Sequence, residues 1–132
     1  MRPHRKLDVW KEAVEFVVAV YQATRSFPKT EQYALADQLR RAAISIPSNI
    51  AEGAARQTKK ESIQFLYIVY PMKYIRTFLF HGAGGSASEI DTQLEVALKL
   101  NYMNESEKAR LDHKLDAIGK MLTGLIRSLK NV

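Results

Sequence analysis

The sequence has no cysteine, which excludes disulfide staples, thiolate metal sites and a thiol nucleophile. It also lacks a long apolar run. The longest, around Phe65 to Met72, falls far short of the ~20 residues that a membrane span needs, so no membrane partner is expected. The basic start, residues 1–8, is not followed by the apolar core of a secretory leader, and a cytoplasmic location is the expectation. The three histidines, His4, His81 and His113, stand far apart without the i, i+4 or Cys/His spacing of a metal site. Asp112 and Asp116 share the polar side of one helical segment, where exposed carboxylates are expected to do no proton-transfer work. No Ser–His–Asp set can be assembled. The chain is therefore read as a non-enzyme with no catalytic residue, no metal and no cofactor.

What is present is an ordinary globular balance, 46% hydrophobic and 26% charged residues, which suits a packed core in one domain over 1–132. The net charge is +6. A basic surface of this kind fits nucleic acid or another polyanion; the plain alternative is a soluble basic protein without such a partner.

Periodicity is helical throughout. Leu7, Trp10, Val14, Val17 and Tyr21 recur in steps of three and four, the spacing of a packed seam, and Val9, Ala13, Phe16 and Val20 form a second stripe beside it. Together the stripes exceed the face that one bundle core covers, so the first helix is expected to be buried on two sides, against a bundle core and against another subunit. A second helix is expected from about Thr30 through Leu35, Leu39, Ile46 and Ile50. Pro47 cannot donate to the carbonyl of Ala43, so a kink or break is predicted there. Asn49 and Glu52 flank it and are read as structural ties for the freed backbone groups rather than as a site. Gly53 ends the pattern or marks a close helix contact. Thr58 with Glu61, Ser86 with Glu89, and Asn104 with Glu107 have capping-box spacing. They open helices carrying Ile63 and Leu66, then Ile90 and Leu94, then the seam of Leu111, Leu115, Ile118, Leu122, Leu125 and Leu129.

These residues resemble a known family. The run Gln-Leu-Arg-Arg-Ala-Ala-Ile-Ser-Ile-Pro-Ser-Asn-Ile-Ala-Glu-Gly at 38–53 is similar to the central motif of the small bacterial proteins encoded in intervening sequences of large-subunit ribosomal RNA genes. Lys6-Leu-Asp-Val-Trp-Lys11, Phe27-Pro28 with Glu31, Phe65-Leu-Tyr-Ile68 and Gly85-Ser-Ala-Ser-Glu89 fit the same pattern. The resemblance implies an all-α fold, an antiparallel up-and-down four-helix bundle, assembled as a homo-oligomeric ring, a pentamer. The chain is also similar to the accessory proteins of diversity-generating retroelements, basic pentameric barrels that associate with a reverse transcriptase and nucleic acid, which implies a protein partner acting on nucleic acid. One departure stands out: the family passes almost directly from Phe-Leu-Tyr-Ile to the Gly-Ser motif, whereas here residues 69–82 intervene. The third helix is thus expected to be interrupted by an insert that the bundle core can spare.

The candidate nucleic-acid contacts are Arg40 and Arg41 on the second helix, Arg56, Lys59 and Lys60 around the next helix start, and Arg5 and Lys6 in the N-terminal arm. Phosphate binding needs such side chains converging on one surface; otherwise they are solvated charges or bridges to a neighbouring subunit. Phe65, Tyr67, Tyr70 and the aromatics of the insert are read as packing residues rather than base-stacking platforms. The leading expectation is a ring-forming, non-enzymatic protein that binds RNA or DNA through basic surfaces. The alternative is a purely structural or protein-binding oligomer.

Overall fold

The computed structural model describes residues 2–70 and 85–131. A 3₁₀ turn at Pro3–Lys6 leads into α1 (Asp8–Thr24), the single turn α2 (Lys29–Gln32), α3 (Leu35–Ala55), α4 (Lys59–Val69), α5 (Ser86–Lys99) and α6 (Glu105–Lys130). No strand occurs among the described residues, and the fold is all-α.

On α1, Val9, Ala13, Phe16 and Val20 are buried, together with Ala19 and Ala23. The Leu7–Trp10–Val14–Val17–Tyr21 seam is the marginal stripe: Leu7, Trp10, Val14 and Val17 are half-buried, while Tyr21 and neighbouring Val18 are 40% and 46% exposed. The apolar arc therefore divides into an inner face covered within the chain and an outer flank that is not.

The helix expected from Thr30 is two elements. Gln32 gives its side-chain amide to the carbonyls of Thr24 and Phe27, both at 3.0 Å. This ties the end of α2 back to α1, and the chain turns through Tyr33 and Ala34 before α3 starts. Of the kink or break expected at Pro47, the break does not occur; α3 runs through it. Ser45 Oγ lies 2.6 Å from the Ala42 carbonyl, and Asn49 Nδ2 donates to the Ser45 carbonyl at 2.7 Å, so local side chains supply polar contacts around the proline. Glu52 takes no part in this; its carboxylate pairs with Arg56 at 2.7 Å. Gly53 lies inside α3, not at its end. A Cβ there would stand 3.1 Å from the Ser62 carbonyl and 3.3 Å from Phe65 Cβ, and Ser62 Oγ donates to the Gly53 carbonyl at 2.7 Å. Glycine is what lets α3 and α4 approach this closely.

Two of the three caps form as the spacing predicts. Thr58 Oγ1 accepts from the Glu61 amide, and Asn104 with Glu107 makes the full reciprocal box. Ser86 does not cap α5. Gly85 takes that position, and Ser86, one residue inside, sets its hydroxyl 2.6 Å from Ser45 Oγ of α3. Asn101 adopts a positive φ of 61° and closes the C-terminal turn of α5, with the Tyr102 amide donating to the Ala97 carbonyl. The insert's first residue is part of the buried core. Val69 is fully buried at the end of α4, and the next residue, Tyr70, is in tight contact with Gly119 of α6. Most of the insert lies outside the described residues.

Hydrogen bonds fix the topology. Arg40 of α3 meets Thr24 at the end of α1 (2.9 Å), so these helices run antiparallel. Ser62 of α4 lies at Gly53, Ser86 of α5 lies at Ser45, and Tyr102 beyond α5 reaches Glu31 just ahead of α3. Thus α4 and then α5 cover α3 in succession, from its C-terminal end to its start. Helix α6 packs on α1, α4 and α5. Phe16, Leu39, Ile46, Ile50, Ile90, Leu94, Leu111, Ile118 and Leu122 are the largest side chains lost from solvent between these helices. Each contributes ~1.5–3 kcal/mol, against ~0–1 kcal/mol for an exposed pair such as Arg41–Asp37. The core, and not the surface charges, holds the fold, which leaves those charges free for other work.

Candidate functional site

The antiparallel packing decides where the basic residues gather. Thr24 is level with Arg40, so Trp10, fourteen residues earlier on α1, is level with the last turn of α3, about 21 Å away at 1.5 Å per residue. The 3₁₀ turn bearing Arg5 and Lys6 precedes α1 and also packs on α3. Arg56 caps the C-terminus of α3, and Lys59 and Lys60 open α4 three residues on. Helix α6 begins beside α5 at the opposite end. Its 26 residues bring Arg127 and Lys130 back to the α3 C-terminal end. Five of the candidate residues, Arg5, Lys6, Arg56, Lys59 and Lys60, therefore share one end of the molecule, and Arg40 and Arg41 do not.

All five are exposed. Arg5, Lys6, Lys59 and Lys60 form no ion pair with any described residue. Of the carboxylates at this end, Glu52 is paired with Arg56, and Glu61 accepts the Thr58 hydroxyl at 2.9 Å; Asp8 is exposed at the start of α1. Two half-exposed aromatic rings stand among the cations. The Arg5 guanidinium lies 5.3 Å from the Trp10 ring centre, with the His4 ring 4.9 Å from Trp10 on a tilt of 59°. The Arg56 guanidinium lies 4.5 Å from the Phe65 ring. Neither pairing was legible in the sequence. The available signals were Arg5 close before Trp10 and Arg56 nine residues before Phe65, and only the fold brings the second pair together.

The two adjacent arginines of the central motif have separate fates. Arg40 is half-buried and committed: Nε donates to Thr24 Oγ1 and Nη2 to Gln32 Oε1, both at 2.9 Å, and its guanidinium lies 5.2 Å from the Tyr21 ring. The Thr24 hydroxyl in turn donates to the Val20 carbonyl at 2.8 Å. Arg41 points outward, 80% exposed, and holds only Asp37 on its own helix. It borders an open groove between α3 and α5 with Gln38, Ser45, Asn49 and Glu89. Pro47, Asn49 and Glu52 lie along α3, with Asn49 among the residues that line this groove.

At the opposite end some of the charges are paired, while Arg25 and Lys29 are exposed and form no ion pair with any described residue. Lys108 of α6, with a side chain 15% exposed, reaches Asp112 at 2.6 Å and Glu95 of α5 at 3.4 Å. The hydrogen bond to Asp112 raises its pKa, burial opposes this, and the negative charges of Asp112 and Glu95 add to the rise. Tyr102 donates to Glu31 at 2.9 Å, and that bond, with burial and the Glu31 charge acting in the same direction, raises the phenol pKa. A group whose pKa is raised on folding stabilises the fold fully below its unfolded value and ceases to as pH climbs through its folded value. Both contributions are therefore intact below about pH 10, the ordinary range of these groups, and vanish above it. Thermal melting should fall steeply above about pH 10, and Tyr102→Phe should reduce that fall; an alkaline limb identical in the variant would show that the Tyr102–Glu31 bond is not coupled to folding.

Among the described residues no group of three acidic, histidine or cysteine side chains stands close enough to hold a metal ion, and no helix is long and apolar enough to cross a membrane. No curated protein matches the chain significantly. The pattern of the 23S rRNA-intervening sequence proteins matches it over residues 5–124, nearly its whole length, and the chain belongs to that family.

Proposed function

We propose that this protein is a non-enzymatic homo-oligomer, assembled as a ring, that binds nucleic acid through the basic end described above. The observation that carries the reading is the convergence of Arg5, Lys6, Lys59 and Lys60, all exposed and none in an ion pair with a described residue, around the C-terminus of α3. Cations without local partners are the groups that gain most from a phosphate backbone, because each releases a condensed counterion on contact. In a ring every subunit repeats the set, so a modest patch becomes a multivalent surface.

The assembly part of the proposal rests on the outer flank of α1. Val14, Val17, Val18 and Tyr21 form an apolar stripe that the chain leaves half open, and contiguous apolar surface of this kind is normally covered by a partner. The pentameric state follows the family resemblance. The chain is read as one domain, an antiparallel up-and-down bundle of four columns: α1, α3, the pair α4 and α5 as one interrupted third helix, and α6. The order in which α4 and α5 cover α3 supports this. A cytoplasmic setting and a protein partner that itself acts on nucleic acid belong to the same proposal.

A second reading, a structural or protein-binding oligomer, draws on the same apolar flank without needing the cations. Light scattering and a salt titration against labelled RNA and DNA separate the two. The proposal expects a particle several times the monomer mass, with binding that weakens linearly in log affinity against log salt. An assembled particle with no binding at ~50 mM salt leaves only the structural reading. A monomer at micromolar concentration removes the ring.

A further inference from the structure

We infer that the basic end takes single-stranded nucleic acid, stacking unpaired bases on the Arg5–Trp10 and Arg56–Phe65 pairs, in preference to duplex. The inference deepens the nucleic-acid reading and depends on it. Cations alone serve a duplex, whose base faces are already occupied and whose phosphates are the accessible groups. Aromatic rings add little to that contact. They are the surfaces on which splayed bases stack in single-strand recognition.

This end holds both kinds of group. Trp10 and Phe65 are half-exposed, each with an exposed guanidinium 5.3 or 4.5 Å from its ring. They flank the last turn of α3 from two sides: Trp10 on α1, and Phe65 on α4, where its Cβ closes on Gly53. Lys6 lies beside the first pair in sequence, and Lys59 and Lys60 sit a turn or two before Phe65 on α4. Ring and cation thus alternate around one end, as base and phosphate alternate along a strand. Of the other aromatics near α4, Tyr67 is buried, and Tyr70, 38% exposed, has its ring pressed against Gly119.

Trp10 is the sole tryptophan, so the intact protein carries its own reporter. The test titrates it with an unstructured RNA of about twelve nucleotides, within the site size of single-strand binders, with the DNA of the same sequence, and with a blunt RNA duplex carrying the same number of phosphates. The expected result is quenching of Trp10 emission by at least one single strand, and affinity for that strand about tenfold above the duplex. The RNA and DNA arms then say which sugar the end prefers. Phe65→Leu keeps an apolar side chain against Gly53 and should lower single-strand affinity about five- to hundredfold with duplex affinity unchanged; Phe65→Tyr should restore it. Duplex binding as tight as the single strands, or Trp10 emission unmoved at saturation, overturns the inference and leaves the nucleic-acid reading standing. No binding of any of the three removes that reading as well.

Discussion

Replacing Arg5, Lys6, Lys59 and Lys60 together by glutamate should abolish measurable nucleic-acid binding at ~0.1 M salt, with a loss of about a thousandfold or more. Each cation that neutralises a phosphate contributes about 0.7 to the salt slope on single strands and about 0.9 on duplex DNA. Four such contacts carry close to three orders of magnitude between ~1 M and ~0.1 M salt, and the introduced carboxylates add repulsion. The fold should not notice. All four side chains are exposed and form no ion pair with a described residue, and surface changes of this kind move stability by no more than about 0.5 kcal/mol each. The measurement is a binding isotherm at several salt concentrations beside a thermal melt. A variant that melts normally and binds like the parent would place the nucleic-acid interface elsewhere or nowhere.

Arg40→Met should behave in the opposite way: stability falls by about 2–4 kcal/mol while nucleic-acid affinity changes little. The substitution removes charge-assisted bonds to Thr24 Oγ1 and Gln32 Oε1 and the guanidinium over Tyr21, each worth about 1 kcal/mol net in this half-buried setting. Gln32 loses the partner of its carbonyl while its amide still ties α2 to α1. A chain of this length should lose about 10 °C in melting temperature. Arg41→Met, one residue along, gives up only an exposed pair on its own helix and should melt within a degree or two of the parent. Urea denaturation of both variants checks this. Equal stability of the two would show that the Arg40 network is not formed in solution.

That contrast shows where sequence reading reached its limit. Periodicity and capping chemistry are local, so the helices at 8–24, 59–69 and 105–130 could be placed from their own residues, and the box of Asn104 and Glu107 formed as its spacing implied. The all-α class followed from the same patterns, and the family from the motif at 38–53 and its companion segments. Side-chain partners across helices are not local. Nothing in Arg40-Arg41 distinguishes the arginine that ties α1 to α3 from the one that faces solvent. Nothing in Ser86-Ala-Ser-Glu89 says that Ser86 will turn toward Ser45 of α3 instead of capping its own helix. Of the kink or break expected at Pro47, the break does not occur: propensity counts the missing amide, whereas the buried positions of α3 on either side of Pro47, Ile46 and Ile50 among them, hold the helix together by packing. At the basic end the charges could be named from the sequence, but their separation from Arg40 and Arg41 depends on the antiparallel course of α1 and α3.

The Arg40 network also bears on the order of events during folding. Its bonds span only sixteen residues to Thr24 and eight to Gln32, so they close small loops at low entropic cost. Contacts of short sequence separation form early, and those to α6 must wait for a much longer loop to close. During synthesis the pair α1 and α3 can associate as soon as α3 has emerged, with Phe16, Leu39 and Ile46 still uncovered on its inner side. That hairpin then presents the template onto which α4, α5 and finally α6 condense, and its exposed apolar face is the species most vulnerable to aggregation until the last helix docks.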